Sequence, residues 1–231
     1  MKTAIANRCT NALRALALAS VLAVSSAGAA VVWNFNPNNL HAPVGSDTLV
    51  LTSEGFQITA RGYTRTGAGD YVGAELFFKN RPPDGGANEL GLGLVGSPFN
   101  EFNWGDPLPN FLQLDLSSIL ALGFTDGMIR VTSLQEGEGF QLFGSNQQGV
   151  LGTALGGPVF GLTFDDQFVS VPDFGMFQFI SIVGAAPGSN VLPVAFSAVP
   201  EMSTVLPLIG LFVAVISTSV LRRRRAAQLS V

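Results

Sequence analysis

Cysteine and histidine are almost missing from this 231-residue chain, which has one of each, Cys9 and His41. A single cysteine excludes a disulfide scaffold. Nor does a lone imidazole between Asn39-Leu40 and Ala42-Pro43 have the further ligands of a zinc site or the partners of a catalytic triad. It reads as a loop histidine. Charge is also scarce, at 12% of residues against 47% hydrophobic, which excludes an ordinary disordered or acidic tail protein. Between the two ends the basic residues thin out to Arg61, Arg65, Lys79, Arg81 and Arg130, set against fifteen acids, a net of −10. Nucleic acid is therefore excluded as a partner, because phosphate binding needs a concentrated basic face. The glycine-rich Gly91-Leu92-Gly93-Leu94 has neither the lysine nor the hydroxyl of a phosphate-binding loop, and no cofactor is expected.

What the chain does have is an address at each end. Residues 1–29 read as a signal peptide. Lys2, Arg8 and Arg14 make its positive region, Ala15 to Val24 a ten-residue apolar run, and Ala27-Gly28-Ala29 the small-x-small site of signal peptidase. The apolar run is too short for a hydrocarbon core that needs ~20 residues. Cleavage there removes Cys9, so the mature chain has no thiolate chemistry.

At the other end, Val199-Pro200-Glu201-Met202-Ser203-Thr204 precedes an apolar stretch of seventeen residues from Val205 to Leu221, closed by Arg222, Arg223, Arg224 and Arg225. As a helix this stretch spans ~25 Å, the short end of transmembrane length. The arginines hold their end in the cytoplasm, and the exported N-terminus agrees with the same topology, body outside and tail inside. A plain single-pass anchor fits these residues.

The order of motif, short helix and arginine cluster over residues 199–226 also resembles the PEP-CTERM sorting signal, known from exopolysaccharide-producing Gram-negative bacteria and read by the membrane enzyme exosortase. The resemblance implies that Val199, Pro200, Glu201, Ser203 and Thr204 form the processing site, with helix and arginines removed after export. Met202 stands where the signal usually has its second proline. The body is similar to ectodomains found ahead of this signal, through Glu89 to Leu94 with Asn100-Glu101-Phe102, and through Phe177 to Ile182 with Gly188 to Leu192. Such ectodomains are sandwich-like and mostly of unknown function.

Residues 30–198 read as one domain, with no linker or repeat dividing them. Phe56, Ile58 and Ala60 alternate with polar residues, as do Leu112, Leu114 and Leu116, and Ile129 and Val131 within 128–134. Further strands are expected over 140–143, 159–164, 174–183 and 191–196, with one short helix over 116–122. Strands this short, separated by Gly and Pro clusters, predict an all-β fold, an antiparallel, jelly-roll-like β-sandwich with a phenylalanine-rich core.

Three sets of side chains are candidates for chemistry. Trp104 with Glu101 and Asp106 combines an indole platform with two carboxylates, as sugar-binding sites do. Asp84 and Asn88 offer calcium-friendly oxygens without the EF-hand spacing. Asp165 and Asp166, with Asp173, are a candidate hydrolytic pair or calcium site, against the plainer reading of a solvated turn. The leading expectation is an exported structural protein of the cell surface or extracellular matrix, with no catalysis. Its partners would be signal peptidase, an exosortase-type enzyme, the membrane through its C-terminal helix, and extracellular polysaccharide. A carbohydrate-binding module and a glycan-active hydrolase are the alternatives.

Overall fold

The computed structural model describes residues 29–67, 69–80, 89–105 and 110–201. Ala30–Val199 forms one compact unit, built almost wholly of antiparallel strands. The one α-helix among the described residues, α1 (Ser117–Leu120), is a single turn inside the expected 116–122. No helix among them is long and apolar enough to cross a membrane, and the 205–221 stretch lies outside them.

Two large sheets enclose the core. The first contains β1 (Val31–Asn34), β8 (Phe102–Asn103), β10 (Phe124–Thr132), β13 (Gln167–Ser170) and β15 (Asn190–Pro200), in the order β1-β15-β10-β13, with β8 also paired to β15. The second contains β3 (Thr48–Ser53), β4 (Phe56–Arg65), β5 (Tyr71–Gly73), β9 (Asn110–Asp115), β11 (Gly139–Ser145), β12 (Thr153–Phe160) and β14 (Phe179–Gly184). Its order is β12-β11-β14-β9-β4-β3, and β5 pairs with β4. A small third sheet runs β2 (Ala42–Pro43), β6 (Leu76–Lys79), β7 (Gly91–Leu94).

Alternation explains which side chains meet. Trp33 of β1, Ile129 and Val131 of β10 and Phe196 of β15 pack into one cluster with Ile58 and Ala60 of β4, Leu112 and Leu114 of β9, and Ile180 and Ile182 of β14. Phe124 of the first sheet meets Phe56 of the second edge-on, with centroids 5.1 Å apart. The Trp33 indole N–H donates across the core to the Phe56 carbonyl at 3.0 Å. This is a sandwich-like all-β fold, with the aromatic core that the composition led one to expect.

Several boundaries differ from the sequence reading. The strand expected at 159–164 begins at Thr153, and its last residues instead turn through a short 3-10 segment, Leu162–Phe164. The strand expected from 174 starts at Phe179. Periodicity also misses β1, β3, β5, β8, β13 and the small sheet. In β7 both Gly91 and Gly93 are required by close approach of backbone. A Cβ on Gly91 would lie 2.6 Å from the Pro193 carbonyl oxygen of β15, and one on Gly93 would collide with the Asn100 carbonyl. With the glycines clearing those contacts, Leu92 and Leu94 enter the core.

Candidate functional site

Lys79 is the last residue of β6, after Leu76-Phe77-Phe78, and lies opposite Gly91 in the ladder with β7. Its side chain is only 1% exposed. The ammonium contacts Glu101 Oε1 at 2.5 Å and Glu89 Oε2 at 2.6 Å. Two carboxylates thus share one ammonium in the interior, leaving one excess negative charge there. Burial pushes the Glu101 carboxyl above its ordinary value, against the lowering effect of Lys79. Burial alone would lower the Lys79 ammonium, but the hydrogen bonds and charges of Glu101 and Glu89 together outweigh it and hold the group above its usual value. The lysine is therefore charged, and Glu101 is the carboxylate placed to take up a proton as pH falls.

The surroundings of this cluster are polar and buried. Asn36 donates to the Lys79 carbonyl at 3.1 Å and to the Leu40 carbonyl at 2.8 Å, tying the segment before β2 to the end of β6. Ser133 holds a left-handed backbone conformation, φ 68°, and its hydroxyl stabilises the Glu101 carboxylate. Asn103, two residues beyond Glu101, is buried with both ends of its carboxamide unpaired. Chemically this is an ionic clasp between the small sheet and the segment leading into β8. None of the described grooves is lined by Lys79, Glu89 or Glu101.

The residues singled out from the sequence are dispersed. Glu101 turns inward to Lys79, whereas Trp104 is 37% exposed, so the two do not share an open sugar platform. Asp106, Asp84 and Asn88 lie outside the described residues. Asp165 accepts the Leu134 N–H at 3.1 Å. Asp166, in a left-handed conformation with φ 57°, faces Arg130 Nε at 3.6 Å. Arg130 in turn lies 5.4 Å above the Phe168 ring. Asp165 and Asp166 thus serve different partners, and Asp173 is in a separate turn closed by the Met176 N–H. His41 accepts the Asn80 N–H at 3.3 Å and meets the Phe77 ring edge-on.

Of the terminal signals, Val199 and Pro200 are the half-buried last residues of β15, and Glu201 follows them exposed. Ala29 is exposed ahead of β1. Ala27, Ser203, Thr204 and Arg222 to Arg225 lie outside the described residues.

Two features went unread in the sequence. Lys79 carried a signal, being one of five basic residues in the body and closing the apolar run Leu76-Phe77-Phe78. The second feature is an open groove of about 430 Å³ running beside β3, with Val32, Asn34, Leu40, Val50, Thr52 and Phe78 among its lining residues. Nothing in the spacing of these residues foretold it, because they come from three separate segments. Comparison with protein-family models, with curated proteins and with solved structures gives no match for this chain.

Proposed function

We propose that this chain is an exported structural protein of the cell surface or extracellular matrix, delivered by a PEP-CTERM-type C-terminal signal and without catalysis of its own. Its body is read as a jelly-roll-like sandwich, preceded by a signal peptide and followed by one transmembrane helix with a cytoplasmic arginine tail. Signal peptidase, an exosortase-type enzyme and extracellular polysaccharide are the partners of this reading. The observation that carries it is where the compact unit Ala30–Val199 ends. β15, paired within the first sheet, continues to Pro200, so the folded body reaches the motif Val199-Pro200-Glu201 with no linker between. A processing site at that position releases a whole domain and cuts none of its strands.

Among the described residues, the arrangement of the singled-out carboxylates supports this reading over hydrolysis. Glu101 is engaged with Lys79, and Asp165 and Asp166 with Leu134 and Arg130. Hydrolysis would instead need two free carboxyls in one cleft, ~5–10 Å apart. The test is the intact mass and both terminal sequences of the protein from its native host. Processing predicts a chain that begins near Ala30 and ends between Pro200 and Thr204. A chain still ending at Val231 in the membrane fraction would replace the sorting signal with a plain anchor.

A further inference from the structure

The outer edge of β3 has no hydrogen-bonded partner strand among the described residues, with β1 across the groove described above, and its sequence is complementary to itself. β3 is the terminal strand of the second sheet, and the Glu54-Gly55 turn that joins it to β4 has both residues in the left-handed region, φ 50° and 86°. A two-residue turn of this kind makes Ser53 and Phe56 the first hydrogen-bonded pair. Pairs then alternate, so Leu51, Leu49 and Asp47 bond to β4 while Thr52, Val50 and Thr48 direct their N–H and C=O groups away from it. The Gly62 N–H donating to the Asp47 carbonyl at 2.9 Å agrees with this phase. The outward groups of Val50 and Thr52 border the groove described above.

Other sheet edges among the described residues carry features that discourage pairing. β12 contains Gly156-Gly157-Pro158, and its ladder with β11 slips register between Phe140 and Leu142. β1 and β13 have four residues each, β5 has three, and β2 contains Pro43. β3 has none of these. Thr48-Leu49-Val50-Leu51-Thr52 holds no charge, no proline and no bulge, and Val50 is 57% exposed. Those five residues are also a palindrome centred on Val50. A strand that reads the same in both directions matches itself when two copies meet antiparallel about a two-fold axis.

We propose that β3 is a self-association surface whose partner is β3 of a second copy of this chain. The pairing places Val50 opposite Val50 of the partner subunit, Leu49 opposite Leu51 of the partner subunit, and Thr48 opposite Thr52 of the partner subunit. Like residues thus sit in the aliphatic and Thr–Thr cross-strand pairs that stabilise sheets. Each Val50 N–H bonds to the opposing Val50 carbonyl, and each Thr52 N–H to the opposing Thr48 carbonyl, four hydrogen bonds in all. The Thr48 N–H already donates to Ser46 Oγ at 3.1 Å, so two further bonds form only if that hydroxyl gives way. Beyond the palindrome, Asp47 lies opposite Ser53 of the partner subunit and Ser46 opposite Glu54 of the partner subunit, so no two like charges face each other across the pair. The inference is independent of the route by which the protein is exported.

Engineered cysteines test the register in the full chain, in detergent and on a Cys9→Ser background. Val50→Cys is expected to give a disulfide-linked homodimer on mild oxidation, because the two residues face each other within the ~7 Å Cα limit. Thr52→Cys, equally exposed, reports random collision, since the two positions would lie four residues out of register, ~13 Å apart. Val50→Lys sets two ammonium groups face to face, and in sedimentation across a dilution series it should raise the dimer dissociation constant at least about tenfold. Because Val50 is exposed and its N–H is unused by β4, that change leaves the fold intact. Equal cross-linking by both cysteines, cross-linking by neither, or a Val50→Cys chain linked only to some other protein would each overturn the proposal.

Discussion

The protein contains two cation–carboxylate arrangements that look alike in sequence and differ in what they do. Lys79 is enclosed with Glu101 and Glu89 at 2.5 and 2.6 Å. Arg130, by contrast, meets Asp166 at 3.6 Å on the surface, where Asp166 is 55% exposed and the guanidinium also has Phe168 to rest on. In the interior Lys79 and Glu101 have lost their water and depend on each other, with Glu89 at the margin of the cluster, so the pair matters chiefly through the penalty for disrupting it. Asp166 is open to solvent, so water takes the place of the guanidinium when that partner is removed. Position in the fold, more than the identity of the ions, decides the energetics.

The largest expected effect breaks the buried side of this contrast. Lys79→Ala leaves two carboxylates unpaired in the interior and should cost about 3–5 kcal/mol in denaturant unfolding. A loss below ~1 kcal/mol would mean that water reaches the cluster. Next comes Glu101→Gln, which removes the excess negative charge but keeps the carbonyl as an acceptor for Lys79, and should cost about 1 kcal/mol at neutral pH.

The pH dependence sharpens the same point. Glu101 has a raised carboxyl in the fold, so its contribution is complete below the ordinary glutamate range and is lost as pH rises through the raised value. Lys79 is also raised, so its contribution holds throughout neutral pH and fades only above the ordinary lysine value near ~10.4. Melting temperature against pH should therefore fall on the alkaline side in the wild type, and Glu101→Gln should remove part of the mildly acidic gain. Identical profiles for the two proteins would deny Glu101 its raised value. Asp166→Ala should produce the smallest change, within about 1 kcal/mol and further reduced by salt.

Strands that lean on one core face were legible in the sequence, and those serving two surroundings were not. β4 and β10 announced themselves because Ile58, Ala60, Ile129 and Val131 alternate with half-exposed neighbours. β15 was seen only in part, over 191–196, because it is buried on both faces along most of its length and so has no alternation to mark its ends. β7 was discounted as a glycine-rich stretch, because the reason for Gly91 and Gly93 lies in backbone from β15 and from residue 100. The candidate sugar platform failed for a similar reason. Glu101 and Trp104 are neighbours in sequence, but they flank the extended pair Phe102–Asn103 of β8, and Glu101 is claimed by a lysine 22 residues away. Phenylalanine count predicted the core but not its exceptions, since Phe99, Phe160, Phe164 and Phe168 remain exposed.

The register of β15 has a mechanical consequence. Val31 lies opposite Ala198, so the chain enters and leaves the body at the same pole. A pull on the chain beyond Pro200 is delivered lengthwise to an eleven-residue strand held between β1 and β10. A load along that axis shears two ladders at once and does not unzip one bond at a time. A body hung from its C-terminal end would thus bear tension on a strand gripped from both sides.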